Sequence, residues 1–180
     1  MNKYFQSIAT ISVLSVAAAM SIVSASAVSA QEVSTSAKGL QGSYVGAGIS
    51  AGVTSGGQGN DGAAFGGNVQ GRYAFSEAPV SLRGAVLFTD KSVALMPIVT
   101  YDLPVAPKTN LYAGGGYSFV TNQNAATPLG NQNAVVLTAG VESEIARNVV
   151  AYGDVKYGIN AFKGSNASAA SIQVGVGYRF

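Results

Sequence analysis

From Val45 onward the sequence alternates with a period of two, and it does so eight times. In the first segment Val45, Ala47, Ile49, Ala51 and Val53 are interleaved with Gly46, Gly48, Ser50 and Gly52. In the second, Phe65, Val69, Tyr73 and Phe75 stand against Gly66, Asn68, Gln70 and Arg72; in the third, Val80, Leu82, Val86 and Phe88 stand against Ser81, Arg83 and Thr89. The fourth sets Val93, Leu95, Val99 and Tyr101 against Ala94, Met96 and Thr100, and the fifth sets Leu111, Ala113, Tyr117 and Phe119 against Gly114, Gly116 and Ser118. Val135, Leu137, Ala139 and Val141 oppose Thr138, Gly140 and Glu142; Val149, Val155, Tyr157 and Ile159 oppose Tyr152, Asp154 and Lys156. The last segment sets Ile172, Val174, Val176, Tyr178 and Phe180 against Ser171, Gln173, Gly175 and Arg179. Successive side chains of a strand point to opposite faces, so each segment reads as a strand with one apolar face. No window after the first thirty residues sustains a helical period.

The apolar residues set each register, so the charges are a separate test of it. Arg72, Arg83, Glu142, Asp154, Lys156 and Arg179 all fall on the non-apolar face. Charged residues make up only 10% of the chain, against about 25% in an average soluble protein, so little charge is available for a water-facing surface. An apolar outside and a charged inside describe a barrel wall in lipid. Segments of about 9 to 11 residues suit tilted strands crossing a bilayer, and an even, closed set leaves no unpaired edge. The expected fold is therefore all-β, an eight-stranded antiparallel up-and-down transmembrane β-barrel over residues 42–180.

The connections alternate too. Ser76-Glu77-Ala78-Pro79 and Ile145-Ala146-Arg147-Asn148 read as tight turns and Asp102 to Thr109 as a longer turn containing prolines. The stretches Thr54 to Gly62, Val120 to Asn133 and Asn160 to Ala170 are longer, rich in Gly, Asn, Ser and Gln, while Asp90-Lys91-Ser92 is short. Short turns belong on the periplasmic side and long loops outside. Tyr73, Phe75, Tyr101, Tyr178 and Phe180 then fall at the periplasmic interface, and Phe65, Phe88, Phe119 and Tyr157 at the outer one, as two aromatic belts.

This orientation sends Arg72, Arg83, Glu142 and Arg179 into the periplasmic half of the interior, with Asp154 and Lys156 near mid-height and Tyr44, Tyr112 and Tyr152 beside them. An eight-stranded barrel has room inside only for side chains, and charges there must be paired. The expectation is a plug of Arg72, Arg83, Glu142, Asp154, Lys156 and Arg179 below a shallow wet vestibule lined by small neutral residues such as Gly48, Ser50, Asn68, Ala94 and Gln173. Pro97, in the fourth strand, lacks a ladder donor and is expected to mark a bulge.

Residues 1–30 carry one cation, Lys3, then an apolar stretch from Ile8 to Val23, then the small-residue run Ser24 to Ala30. That is the layout of a secretory signal peptide, with cleavage read after Ala30 and Ala27 as the alternative. Residues 31–41 are then a short segment ahead of the barrel. The chain has no Cys and no His, which removes thiol chemistry, Cys-based metal sites and the commonest general base. No catalytic, cofactor or metal site is expected, and a net charge of +2 offers no field for nucleic acid.

The arrangement resembles the small outer-membrane β-barrel proteins of Gram-negative bacteria, the opacity-type and OmpA/OmpX-like porin superfamily. The most specific match is the last strand, where Gln173, Gly175, Tyr178 and Phe180 fit that family's terminal assembly signal. Less specific are the strands Leu111-Tyr112-Ala113-Gly114-Gly115-Gly116-Tyr117 and Tyr152-Gly153-Asp154-Val155-Lys156-Tyr157. The resemblance implies the cell outer membrane as location, its lipid as surroundings, and the barrel assembly machinery and periplasmic chaperones as partners during biogenesis. A monomer is expected. Members of that superfamily differ in activity, so the resemblance leaves a structural or surface role, a low-conductance pore and a loop-based adhesin open, in that order.

Overall fold

The computed structural model describes residues 38–56 and 63–180. The signal-peptide reading of residues 1–30 lies outside them. Eight strands follow one another: β1 (Tyr44–Gly52), β2 (Phe65–Ala74), β3 (Val80–Phe88), β4 (Val93–Ala106), β5 (Thr109–Val120), β6 (Ala134–Ala146), β7 (Val149–Ile159) and β8 (Ala169–Arg179). Each pairs antiparallel with the next, and β8 returns to β1 from Tyr44↔Arg179 to Gly52↔Ser171. The sheet is a closed barrel in sequence order.

Alternation decides which side chain goes where. Along β3, Leu82 is exposed on the outer wall while Arg83 beside it is buried at 1% exposure, and along β7 Val155 and Tyr157 face out while Asp154 and Lys156 are buried. Tyr73, Tyr101, Tyr178 and Phe180 are exposed at the periplasmic end of the wall, and Phe65, Phe88, Phe119 and Tyr157 toward the outer end. The wall is thus apolar throughout and belted by rings, as a bilayer requires.

Three local expectations are corrected. The stretch from Asp102 to Thr109 is not a long turn: β4 runs on to Ala106, and only Pro107 and Lys108 separate it from β5, with Lys108 at φ 60°. Asp102 therefore lies inside the barrel wall, buried, rather than in a connection. The bulge expected at Pro97 is also displaced. Pro97 stays in register opposite Gly84, and toward β5 the pairing lapses between Leu95↔Phe119 and Ile98↔Gly116 without any shift. A missing N–H removes ladder bonds on one side only, so the strand keeps its register there. The shift in β4 comes instead between Pro104 and Ala106, and a second lies between Glu144 and Ala146 in β6.

The third correction concerns the outer half of the lumen, where apolar side chains pack in place of the expected open vestibule. Ala85, Leu87, Ala94, Met96, Ile98, Val120, Ala134, Val136 and Ala169 point inward from the strands and pack with Leu129, Ala161 and Phe162 from the outer loops. The loops are tied in place to do this. Thr127 and Gly130 pair in a tight turn, with the Thr127 hydroxyl donating to the Gly130 carbonyl at 2.6 Å and Gly130 at φ 91°. The amides of Asn131 and Gln132 donate to the Ala161 carbonyl at 3.0 Å each, linking the two loops.

Candidate functional site

The periplasmic half of the lumen holds the charges. Arg72 on β2 and Arg83 on β3 are direct cross-strand neighbours, a like-charge pair that a sheet tolerates only with counter-charges at hand. Two carboxylates supply them, each bridging both guanidiniums. Asp102 of β4 lies 2.7 Å from Arg72 and 3.1 Å from Arg83; Glu142 of β6 lies 3.1 Å from Arg72 and 2.9 Å from Arg83. The four side chains form a ring across the barrel.

Neutral donors and acceptors complete it. Arg72 Nε donates to the Ser81 hydroxyl at 2.9 Å, and that hydroxyl donates a short bond to Asp102. Arg83 Nε donates to Thr100 Oγ1 at 3.0 Å, which donates to Asp102 Oδ1 at 3.1 Å. The Tyr44 hydroxyl donates to Glu142 Oε2 at 3.0 Å and accepts from Gln70 and Arg83. Asn110 donates to Glu142 Oε1 at 3.3 Å and holds Leu40 from below, accepting from its amide and donating to its carbonyl at 3.0 Å each. Leu40, ahead of β1, is buried and packs beneath Tyr44.

A second pair sits one layer higher. Lys156 Nζ lies 2.5 Å from Asp154 Oδ1, two residues away on the inner face of β7, and 3.5 Å from Gln70 Oε1. Tyr112 joins the two layers: Arg83 stacks on its ring at 3.6 Å, and its hydroxyl donates to Asp154 Oδ2 at 2.8 Å. Arg72, Arg83 and Lys156 are balanced by Asp102, Glu142 and Asp154, so the charges of this network sum to zero.

Five of the six charged residues expected inside are therefore brought together in or beside this network. Arg179 is not. Its guanidinium pairs with Glu144 at 3.0 Å and donates to the Gln41 carbonyl at 3.2 Å, at the periplasmic rim beside the Lys108–Glu144 pair, also 3.0 Å. It stands in the final register pair of β8, where the nearest free carboxylate is at the rim rather than within. Asp102, Ser81, Thr100, Asn110 and Leu40 are the members that sequence reasoning missed. One signal for Asp102 was available: four cations and two anions cannot fill a dry plug, and Asp102 is the carboxylate that follows Thr100 at the same inward parity.

The four terminal-strand residues divide between the faces. Gln173 is buried and donates to Ser171 at 2.7 Å. Gly175 faces inward where a Cβ would come within 2.4 Å of the Tyr152 ring, so that ring lies flat on the β1–β8 seam, where it stacks with Tyr44 at 6.0 Å. Tyr178 and Phe180 face outward, both more than half exposed. No group of three metal-ligating carboxylates occurs among the described residues.

Residues 15–180 match the model of the outer membrane protein beta-barrel domain. The chain belongs to that family. This barrel resides in the cell outer membrane, with its apolar wall in lipid. A comparison with curated protein sequences finds no match. Solved structures do resemble it. Ail, the attachment invasion locus protein of Yersinia pestis, solved with the heparin analogue sucrose octasulfate, is 17% identical with a TM-score of 0.52, over 78% of this chain and all of that one. The outer membrane protein OprG of Pseudomonas aeruginosa is 12% identical with a TM-score of 0.56, over 80% of this chain and 99% of that one. A de novo designed transmembrane β-barrel is 16% identical with a TM-score of 0.50, over 77% and 96%. At these identities the likeness is one of fold, and a designed barrel shares it as well as natural ones do.

Proposed function

We propose that this outer-membrane barrel has a non-enzymatic structural or surface role and does not conduct. The observation that carries the reading is the double closure of its lumen. The Arg72–Arg83–Asp102–Glu142 ring spans the periplasmic half, and the apolar cluster around Met96, Leu129 and Phe162 packs into the outer half beside the buried Ser50, Asn68 and Gln173. A pore needs a continuous polar path, and a lumen packed with paired charges and apolar side chains opposes one. The chain's lack of His and Cys supports the non-enzymatic part. Its described outer loops carry few cations, Lys91 and Lys163, which gives little support to polyanion binding of the kind that Ail's complex with sucrose octasulfate represents. In the same reading the protein is a monomer delivered by periplasmic chaperones and inserted by the barrel assembly machinery, with Gln173, Gly175, Tyr178 and Phe180 as the terminal signal.

Single-channel recording on refolded protein in planar bilayers tests this. The expected trace is flat. Stable openings whose conductance changes in Arg83→Gln or Lys156→Gln would replace this reading with a low-conductance pore through the charged ring.

A further inference from the structure

The outer wall has one bare patch. Most lipid-facing glycines are covered by a neighbour: a Cβ on Gly67 would run into the Phe88 ring at 2.3 Å, and those on Gly115 and Gly153 would meet Leu137 and Val174 at ordinary contact distance. Gly84 meets nothing within 4 Å, and Gly71 meets only the Tyr44 carbonyl at 4.0 Å. These two are direct partners across β2 and β3, with Val45 next to Gly71 on β1 and Pro97 next to Gly84 on β4. Strands lie about 4.8 Å apart, so the row from Val45 to Pro97 spans roughly 14 Å. Tyr73, Leu82 and Phe180 border a groove of about 310 Å³ along it.

The groove starts at the periplasmic belt, since Val45 pairs with Tyr178, and runs across β2 to Gly84 on β3. At its foot, on the other side of Phe180, is a cavity of about 260 Å³ lined by Gln41, Gly42, Asn148, Arg179 and Phe180 itself. Arg179 donates to the Gln41 carbonyl and pairs with Glu144 at 3.0 Å, which leaves further N–H groups of the five a guanidinium carries. Among the described residues the periplasmic rim holds Lys38, Lys108, Arg147 and Arg179 against Glu77 and Glu144, a cationic excess facing the inner-leaflet phosphates.

We propose that this corner of the barrel is a binding site for one inner-leaflet phospholipid, with an acyl chain in the Val45–Gly71–Gly84 groove and the phosphodiester at Arg179. A Cβ at Gly84 or Gly71 meets no atom closer than 4.0 Å, so Gly84→Leu and Gly71→Val should enter the groove without straining the backbone and fold while losing the site. A phospholipid fits better than a second copy of the chain, because the groove ends beside a cation on a rim with a cationic excess.

The test folds the protein into vesicles of 1-palmitoyl-2-oleoyl-phosphatidylglycerol, extracts it into a mild non-ionic detergent and counts retained lipid by native mass spectrometry. Wild-type protein should keep one lipid per barrel; Gly84→Leu and Gly71→Val should keep at least fivefold less, and Arg179→Gln at least threefold less. Heat-modifiable migration on a gel confirms that each variant is folded. Lipid retained in a random series with no favoured count, or equally by wild type and both groove variants, would overturn the proposal. A dimer that Gly84→Leu abolishes would assign the groove to a second copy and overturn it as well.

Discussion

Neutralising Glu142 should be among the most damaging isosteric changes in this barrel. Its carboxylate is completely buried and faces both Arg72 and Arg83, so Glu142→Gln leaves two buried guanidiniums to share Asp102. With charge centres about 4 Å apart, each pair is worth roughly 4 kcal/mol at an effective dielectric of about 20. The variant also relieves the desolvation of Glu142 itself, so the net cost should be about 3–5 kcal/mol, the usual range for breaking one side of a buried pair. The chain has no Trp, so urea unfolding in phospholipid vesicles is followed by circular dichroism and gel mobility rather than by fluorescence. At a slope near 2 kcal/mol/M the midpoint should fall by roughly 2 M. Adding Arg83→Met removes the surplus cation, and the double variant should be more stable than the sum of the two single changes predicts. A loss below about 1 kcal/mol for Glu142→Gln, or additivity within about 0.5 kcal/mol in the cycle, would refute the claim that these charges act as one ring.

Asp102→Asn should cost as much as Glu142→Gln in the same unfolding assay, because Asp102 also bridges both arginines and accepts from Ser81 and Thr100; a near-neutral result would remove it from the network. Phe162→Ala should lower stability by about 3 kcal/mol through lost packing in the outer layer, and planar-bilayer recordings should stay flat because the charged ring remains. Phe180→Ser should reduce the heat-modifiable, folded band in membranes more than it shifts the unfolding midpoint of the fraction that folds, because Phe180 faces lipid and makes no interior contact that the substitution removes.

Much of this molecule is legible from a few residues. The alternation around Leu82 and Arg83 assigned both to their observed faces, and the same held for Val155 and Lys156, because period two is a property of the extended backbone alone. Proline was the misleading signal. Pro104 and Pro107 suggested a turn, yet Pro104 stands inside β4 beside a register shift, and the reading of that turn hid Asp102. The outer layer was hidden for another reason. Leu129, Ala161 and Phe162 lie in polar loops with no periodicity, and loop-to-loop links such as those from Asn131 and Gln132 to Ala161 hold them inward.

The sequence by itself determined the number of strands, the face of each side chain and the surrounding solvent. Those follow from neighbours one and two positions apart and from the exclusion of charge from lipid. Only the tertiary structure decided which charges meet: Tyr44 and Glu142 are 98 residues apart in the chain and bonded in the lumen, while Arg179, one position from its aromatic neighbours in β8, turns to Glu144 at the rim. The same holds for the bare glycines, since Gly67 and Gly84 look alike in sequence and differ only in whether a ring from the adjoining strand lies over them. Closing the barrel sets distances across the lumen and along the wall, and these depend on register between strands that no local pattern encodes.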